Sequence, residues 1–402
     1  MREVIIKDSP CGSGKTSQLL NSFKTTKKYL VVVPILSEVT RVLTDACVDF
    51  YEPVVSDNFE TKLGHALSLI DAGLNVVITH KLYKDFSKLS NLGILDEYHI
   101  IIDEVPDTVE PIAKPNFKSF KKFYVDTGLV RIDEFDRAHP TSEWEDKRRD
   151  YKDTLDSTIY SAAKNGTLVY VDGNMLMKVL PRKLFTAGKT LTVLTFLSDG
   201  SYFPYYLKKM GIRYVVDSLP ALTEGFKEQM MNLLDPVQIP GYKSGHFGYA
   251  KQSNGLTKED YCNQISTSLK NLASRFLKGV DRNYVILTCI KDGWGDEKKP
   301  GPFQKGSKLK RVNWIPNTTR GTNDYAHCSH AIYLYNQNIN PAIGRFLNLP
   351  SSFKDDYAIT ELIQWVYRTR IRKGEPITLF IGDPRMMKLL NNWMGTETRK
   401  AA

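Results

Sequence analysis

Cysteine is sparse and scattered. The 402 residues hold five (Cys11, Cys47, Cys262, Cys289 and Cys328), with no CxxC spacing, so neither a disulfide framework nor a cysteine zinc site is indicated. His80, His99, His139, His246, His327 and His330 show no metal-ligand spacing either, and the run His327-Cys328-Ser329-His330 lacks a second ligand pair. Long apolar runs are missing as well. Stretches such as Val31–Val33 and Ile100–Ile102 fall far short of the roughly 20 residues that span a bilayer. Met1-Arg2-Glu3 leads straight into Val4-Ile5-Ile6 without the pattern of a signal peptide. A reducing, cytoplasmic setting with no membrane partner is therefore expected. Internal repeats at a fixed period and low-complexity tracts are also lacking. The hydrophobic fraction of 42% and charged fraction of 25% exclude collagenous, coiled-coil and mainly disordered chains. A chain of this length buries enough apolar surface to fold without disulfides or metals.

Acidic residues are scarce in one half. Residues 1–200 hold 26 basic and 28 acidic side chains, whereas residues 201–402 hold 29 and 17, a net of +12. That asymmetry suits a polyanion, because phosphate contacts supply most non-specific nucleic-acid affinity; a solvated basic surface gives the same count.

Short β-branched runs alternate with segments of helical period, the pattern of an α/β protein with parallel strands. The strands expected in the first half are Val4–Ile6, Tyr29–Val33, Val76–Thr79, Ile100–Asp103, Leu168–Val171 and Thr190–Leu194. The second half supplies Tyr284–Thr288, Arg311–Trp314, Ala331–Leu334 and Pro376–Ile381. Residues 111–165 are charged, aromatic and mostly helical in pattern, and read as an insertion in the first lobe. Residues 236–256 are rich in Gly, Pro, Ser and Lys and sit near a boundary. The division expected is a lobe over 1–215 and a second, basic lobe over 216–402.

The most informative motif is Ser9-Pro10-Cys11-Gly12-Ser13-Gly14-Lys15-Thr16, between an apolar strand and an amphipathic run with Leu19, Leu20 and Phe23. A strand–loop–helix turn of this kind aims backbone N–H groups at one point, where the helix N-terminus also favours an anion. Gly12 and Gly14 let the backbone approach phosphate oxygens without a Cβ clash. Lys15 is expected on the β- and γ-phosphates and Thr16 on Mg²⁺, with Ser13 and Ser17 beside them. The partner carboxylates are Asp103 and Glu104, carried to a strand end by Ile100-Ile101-Ile102. Asp103 is assigned to Mg²⁺, and Glu104 to orienting the attacking water or accepting its proton. ATP with Mg²⁺ is the expected cofactor.

Taken together the chain resembles a superfamily 2 helicase, in wording closest to DEAD-like helicases encoded by bacteriophages. Motif I resembles residues 9–16, motif Ia Leu30-Val31-Val32-Val33-Pro34, motif Ib Val76-Val77-Ile78-Thr79-His80, and motif II Asp103-Glu104-Val105-Pro106. Leu194-Thr195-Phe196-Leu197-Ser198-Asp199 lies where motif III belongs but departs from Ser/Thr-Ala-Thr. Tyr284–Thr288 resembles the motif IV strand and Thr319-Arg320-Gly321-Thr322-Asn323-Asp324-Tyr325 resembles motif V. Gln364-Trp365-Val366-Tyr367-Arg368-Thr369-Arg370-Ile371-Arg372 resembles motif VI, with Tyr367 at its glycine position and the next basic residues displaced, so that Arg370 and Arg372 are alternatives for its second arginine. The resemblance implies two RecA-like lobes with parallel sheets, Gln364 on the nucleotide, and Thr79, Arg320, Gly321 and Thr322 on nucleic acid. On a helix Arg368 and Arg372 would share one face, suiting an arginine that reaches the γ-phosphate across the cleft, while Arg370 points away. Lys305, Lys308 and Lys310 form a basic loop before a strand, a further candidate contact for phosphates.

The function expected is ATP-dependent translocation on single-stranded or partly duplex nucleic acid, DNA before RNA, by a monomer. Two other readings stay open: a viral DNA-packaging ATPase, and a nucleotide-gated nucleic-acid-binding protein with slow turnover and no unwinding.

Overall fold

The structure is a computed structural model. It describes residues 3–10, 12–112, 117–147, 155–171, 173, 175–296, 298–319 and 323–395. The first lobe opens with β1 (Val4–Asp8), β2 (Lys28–Val33), β3 (Val76–Thr79) and β4 (Tyr98–Asp103). Then come β5 (Val109–Pro111), β6 (Val130–Ile132), β7 (Ala138–Pro140), β8 (Leu168–Val171) and β9 (Met175–Val179). It closes with β10 (Thr190–Thr195) and β11 (Tyr214–Ser218). The main sheet runs β11-β1-β10-β4-β2-β3 and every pairing in it is parallel. Helices cover both faces of such a sheet, which is why Val31–Val33 and Ile100–Ile102 are written as unbroken apolar runs and are buried throughout. All its strands point the same way, so the loops after β1, β2, β3, β4 and β10 collect at one edge.

The second lobe has β12 (Leu234–Gln238), β13 (Val285–Thr288), β14 (Asn313–Trp314), β15 (His330–Tyr333) and β16 (Ile377–Ile381). They form one parallel sheet in the order β12-β16-β15-β13-β14. In the chain, the helix Pro220–Leu233 links β11 to β12, opened by a proline whose missing N–H has no partner to lose there. The expected boundary at 215/216 falls inside β11, which pairs with β1.

The described part of the insertion is mostly helical, as expected, with helices at Phe117–Phe120, Ser142–Lys147 and Leu155–Lys164. Strands β5, β8 and β9, which flank it in the chain, make a separate antiparallel sheet, and β6 and β7 within it form a hairpin. Leu168–Val171 is a strand as expected, but it joins this small sheet. Residues 172–174 are too few for the crossover that parallel pairing needs, so β8 and β9 pair antiparallel. Phe120, Tyr124, Trp144, Tyr160 and Tyr170 give the insertion its own aromatic core.

The lobes exchange apolar groups. Ala342, Ile343, Phe346 and Leu347 of the second lobe are buried in the first lobe's core. In return Phe196, just past β10, is buried in the second, its ring centroid 4.9 Å from that of Phe226. Gly200 lies flush against the helix Phe353–Val366; a Cβ there would run into the Thr360 hydroxyl and stand 2.6 Å from the Asp356 carbonyl oxygen.

Candidate nucleotide and nucleic-acid site

The loop between β1 and the short helix Lys15–Leu20 turns on two glycines, Gly12 and Gly14, with φ of 76° and 75°. A side chain in that left-handed region is strained, so the loop's shape follows from its glycines. The loop is anchored from below: Ser9 N–H donates to the Thr195 carbonyl at 3.0 Å. Asp8 accepts from the N–H groups of Leu197 and Ser198 at 2.9 and 2.8 Å. Lys15 Nζ donates to the Ser9 carbonyl at 3.4 Å.

Beneath the loop lies the end of β4. Thr16 Oγ1 donates to the two carboxylate oxygens of Asp103 at 3.3 and 3.4 Å. Asp103 is buried, and that desolvation, with the charge of Glu104 second, pushes its carboxyl pKa up to about 6; Lys15 opposes the shift. The chain turns sharply at Glu104, whose φ is 64° and whose N–H donates to the Leu194 carbonyl. His80, the first residue after β3, bonds through Nε2 to the Asp103 carbonyl at 2.9 Å. Burial lowers its pKa, so the neutral ring donates there from Nε2.

A cleft of about 380 Å³ brings these groups together. Gly12, Gly14, Lys15, Thr16, Ser17, Asp103 and Glu104 line it from the first lobe, and Asn323, Arg368 and Arg372 from the second. The arginines are not on one helical face, as the sequence reading has them. The helix Phe353–Val366 ends before Arg368, and Arg370–Lys373 is a 3₁₀ turn. The turn still delivers both to the cleft, while Arg370 Nε donates to the Pro376 carbonyl at 2.7 Å. Gln364 does not line the cleft; its amide donates to the Phe196 carbonyl at 2.9 Å, tying the second lobe to the segment after β10. Glu38 and Arg41, which sequence reasoning passed over, complete the wall. Arg41 donates to Glu38 at 2.9 Å and to the Ser17 hydroxyl at 3.3 Å. Their signal was their place on the first helix after the Pro34 strand end.

A second cavity of about 490 Å³ opens on the other side of Glu104, between the same sheet edge and the second lobe. Its walls include Pro34, Lys81, Lys84, Tyr202, Thr318 and Tyr357. Thr79 caps the helix His80–Asp85 by accepting from Leu82 N–H. Arg320, Gly321 and Thr322 lie outside the described residues. Lys305, Lys308 and Lys310 are exposed. The Lys308 carbonyl accepts from Arg282 just before β13, and Lys310 precedes β14, so both sit where these strands begin, at the opposite edge from the cavity. Among the described residues no three His, Cys, Asp or Glu side chains group to hold a metal, and no helix is long and apolar enough to cross a membrane.

Comparison with known proteins agrees with this geometry at the level of fold. A family model described as the YonV C-terminal Rossmann-like domain matches residues 234–394. Over 98% of this chain and 99% of its own length, the SPbeta prophage-derived uncharacterized protein YonV of Bacillus subtilis (strain 168) is 26% identical. Among solved structures, apo XPD superposes with a TM-score of 0.53 at 13% identity, covering 100% of this chain and 97% of its own. Xpd4 of S. tokodaii gives 0.48 at 11% identity, covering 100% of this chain and 96% of its own. The chain has the mixed α/β architecture of two RecA-like lobes with parallel sheets that is found in helicases, and it is similar along nearly its whole length to a prophage protein.

Proposed function

We propose that this chain is an ATP-dependent nucleic-acid translocase or helicase that hydrolyses the triphosphate in the interlobe cleft. The observation carrying the reading is the convergence, in one cleft, of the Gly12–Thr16 loop, the Asp103–Glu104 strand end and Arg368 with Arg372 from the other lobe. Gly12 and Gly14 open the loop's N–H groups to phosphate, and Lys15 reaches the terminal phosphates by leaving the Ser9 carbonyl. Thr16 and Asp103 fit Mg²⁺: a hydroxyl and a buried carboxylate in contact leave the remaining positions to phosphate and water. The cation would supply charge neutralisation on the phosphates and would keep Asp103 ionised. Glu104 turns toward the same cleft as the water-orienting base, and Arg368 and Arg372 balance the charge that develops on the γ-phosphate.

The nucleic-acid strand is assigned to the larger cavity, where Lys81 offers charge and Tyr202 offers aromatic surface. Glu104 borders both cavities, which is the reason to couple turnover to the strand. The apolar exchange between the lobes favours one alternative, a slow nucleotide-gated binder whose lobes separate little.

ATP turnover measured with and without single-stranded DNA and RNA separates the two: a translocase is stimulated, a slow switch is not. Lys15→Ala should abolish nucleotide binding or turnover, whereas Glu104→Gln should bind and fail to turn over. Wild-type hydrolysis by Glu104→Gln would remove Glu104 from the chemistry.

A further inference from the structure

Tyr367 stands at the end of the helix Phe353–Val366, on the residue before Arg368. Its ring is buried in the second lobe's core, with the Phe226 ring centroid 5.4 Å away and Phe196 in the same cluster. A ring held by that core does not swing, so its hydroxyl is delivered to a fixed place. That place is Gly12 of the first lobe: a Cβ there would run into the Tyr367 hydroxyl and stand 3.0 Å from ring Cζ. Gly12 lines the cleft and Tyr367 does not, so the hydroxyl meets the loop from its flank and leaves the cleft open. Arg368, one residue on, does line it. One turn of the second lobe therefore touches the phosphate loop and carries a cleft arginine.

We propose that Tyr367 is a positioning residue that braces the phosphate loop from the opposite lobe, through its hydroxyl on Gly12, and holds the loop ready for nucleotide. The proposal rests on the loop being a nucleotide site. Preorganisation acts on binding of any nucleotide that uses the loop, before the chemical step.

The test uses the full chain with Tyr367→Phe, which keeps the ring in the core and deletes the hydroxyl. Hydrogen exchange at the amides of residues 9–16, without nucleotide, should quicken while core amides and the melting temperature stay as in wild type. The Kd for Mg-ADP and the KM for ATP should rise together by roughly three- to tenfold, with kcat within about twofold. Unchanged exchange and unchanged Kd would make Tyr367 a core ring and nothing more. A fall in kcat at constant Kd would equally overturn the brace. Wild-type protein that binds no ADP would sink the nucleotide reading, whereas the exchange measurement would still decide whether Tyr367 holds the loop.

Discussion

Asp103 shows how far one side chain's surroundings set its chemistry. Placed at the end of a buried strand beside Glu104, its carboxyl is pushed up to about 6 from the ordinary carboxylate value of 3.8. A carboxyl with a raised folded-state pKa favours the folded protein below the unfolded value, and that contribution is lost as pH rises through 6. At pH 8 without nucleotide, Asp103 is therefore ionised at a cost. Asp103→Asn should stabilise the nucleotide-free protein at pH 8 by on the order of 1–3 kcal/mol, at about 1.36 kcal/mol per pKa unit. The advantage should shrink as pH falls from 6 toward 4, and urea melts at pH 8 and pH 4.5 read it directly. Equal stability of the two proteins at both pH values would contradict the burial argument. Under the proposed function the same substitution should remove ATP turnover, because Asp103 would then no longer hold the cation.

At the scale of elements, the segment after the helix Phe353–Val366 is the instructive one. A continued helix would have put Arg368 and Arg372 on one face; the chain instead becomes extended at Thr369 and tightens into a 3₁₀ turn. Arg370 is held on its other side by its own N–H on the Cys328 carbonyl and its Nε on Pro376. Arg368→Ala and Arg372→Ala should each lower kcat far more than they weaken ATP binding, on the order of 10³-fold for an arginine that stabilises the transition state. Arg370→Ala should cost little turnover. Steady-state kinetics beside a nucleotide titration checks all three, and equal small losses would reduce the segment to a basic turn.

Charge is a property of the whole molecule, and its use depends on where the lysines fall. The second half carries the excess, yet Lys308 and Lys310 sit at the strand-start edge of its sheet. Lys81 is exposed on the wall of the larger cavity. Each phosphate contact on a single strand contributes roughly −0.7 to the slope of log affinity against log salt. Lys81→Glu should weaken binding of a labelled oligonucleotide and flatten that slope by about 0.7, whatever the base sequence. Lys308→Glu with Lys310→Glu should leave the slope as in wild type. The reverse pattern in a salt titration would move the strand to the far edge.

Parallel strands buried on both faces are composed as contiguous β-branched runs, so β1, β2, β3, β4 and β10 were legible without coordinates. The shape of the glycine loop was legible for a local reason too, since its two left-handed residues are glycines. Two edge strands, β11 and β12, were not. β12 carries Pro236, which an edge strand accepts because it need not donate on its open side, and β11 leaves Val215 and Val216 exposed. Strand order, the small antiparallel sheet of β5, β8 and β9, the exit of Gln364 from the cleft to the Phe196 carbonyl, and the contact of Tyr367 with Gly12 were decided by tertiary packing. Backbone dihedrals and apolar period are set within a few residues and can be read in a window. Which distant surfaces meet depends on how two cores share Phe196 and Phe346, a choice made by volume and shape between segments far apart in the chain.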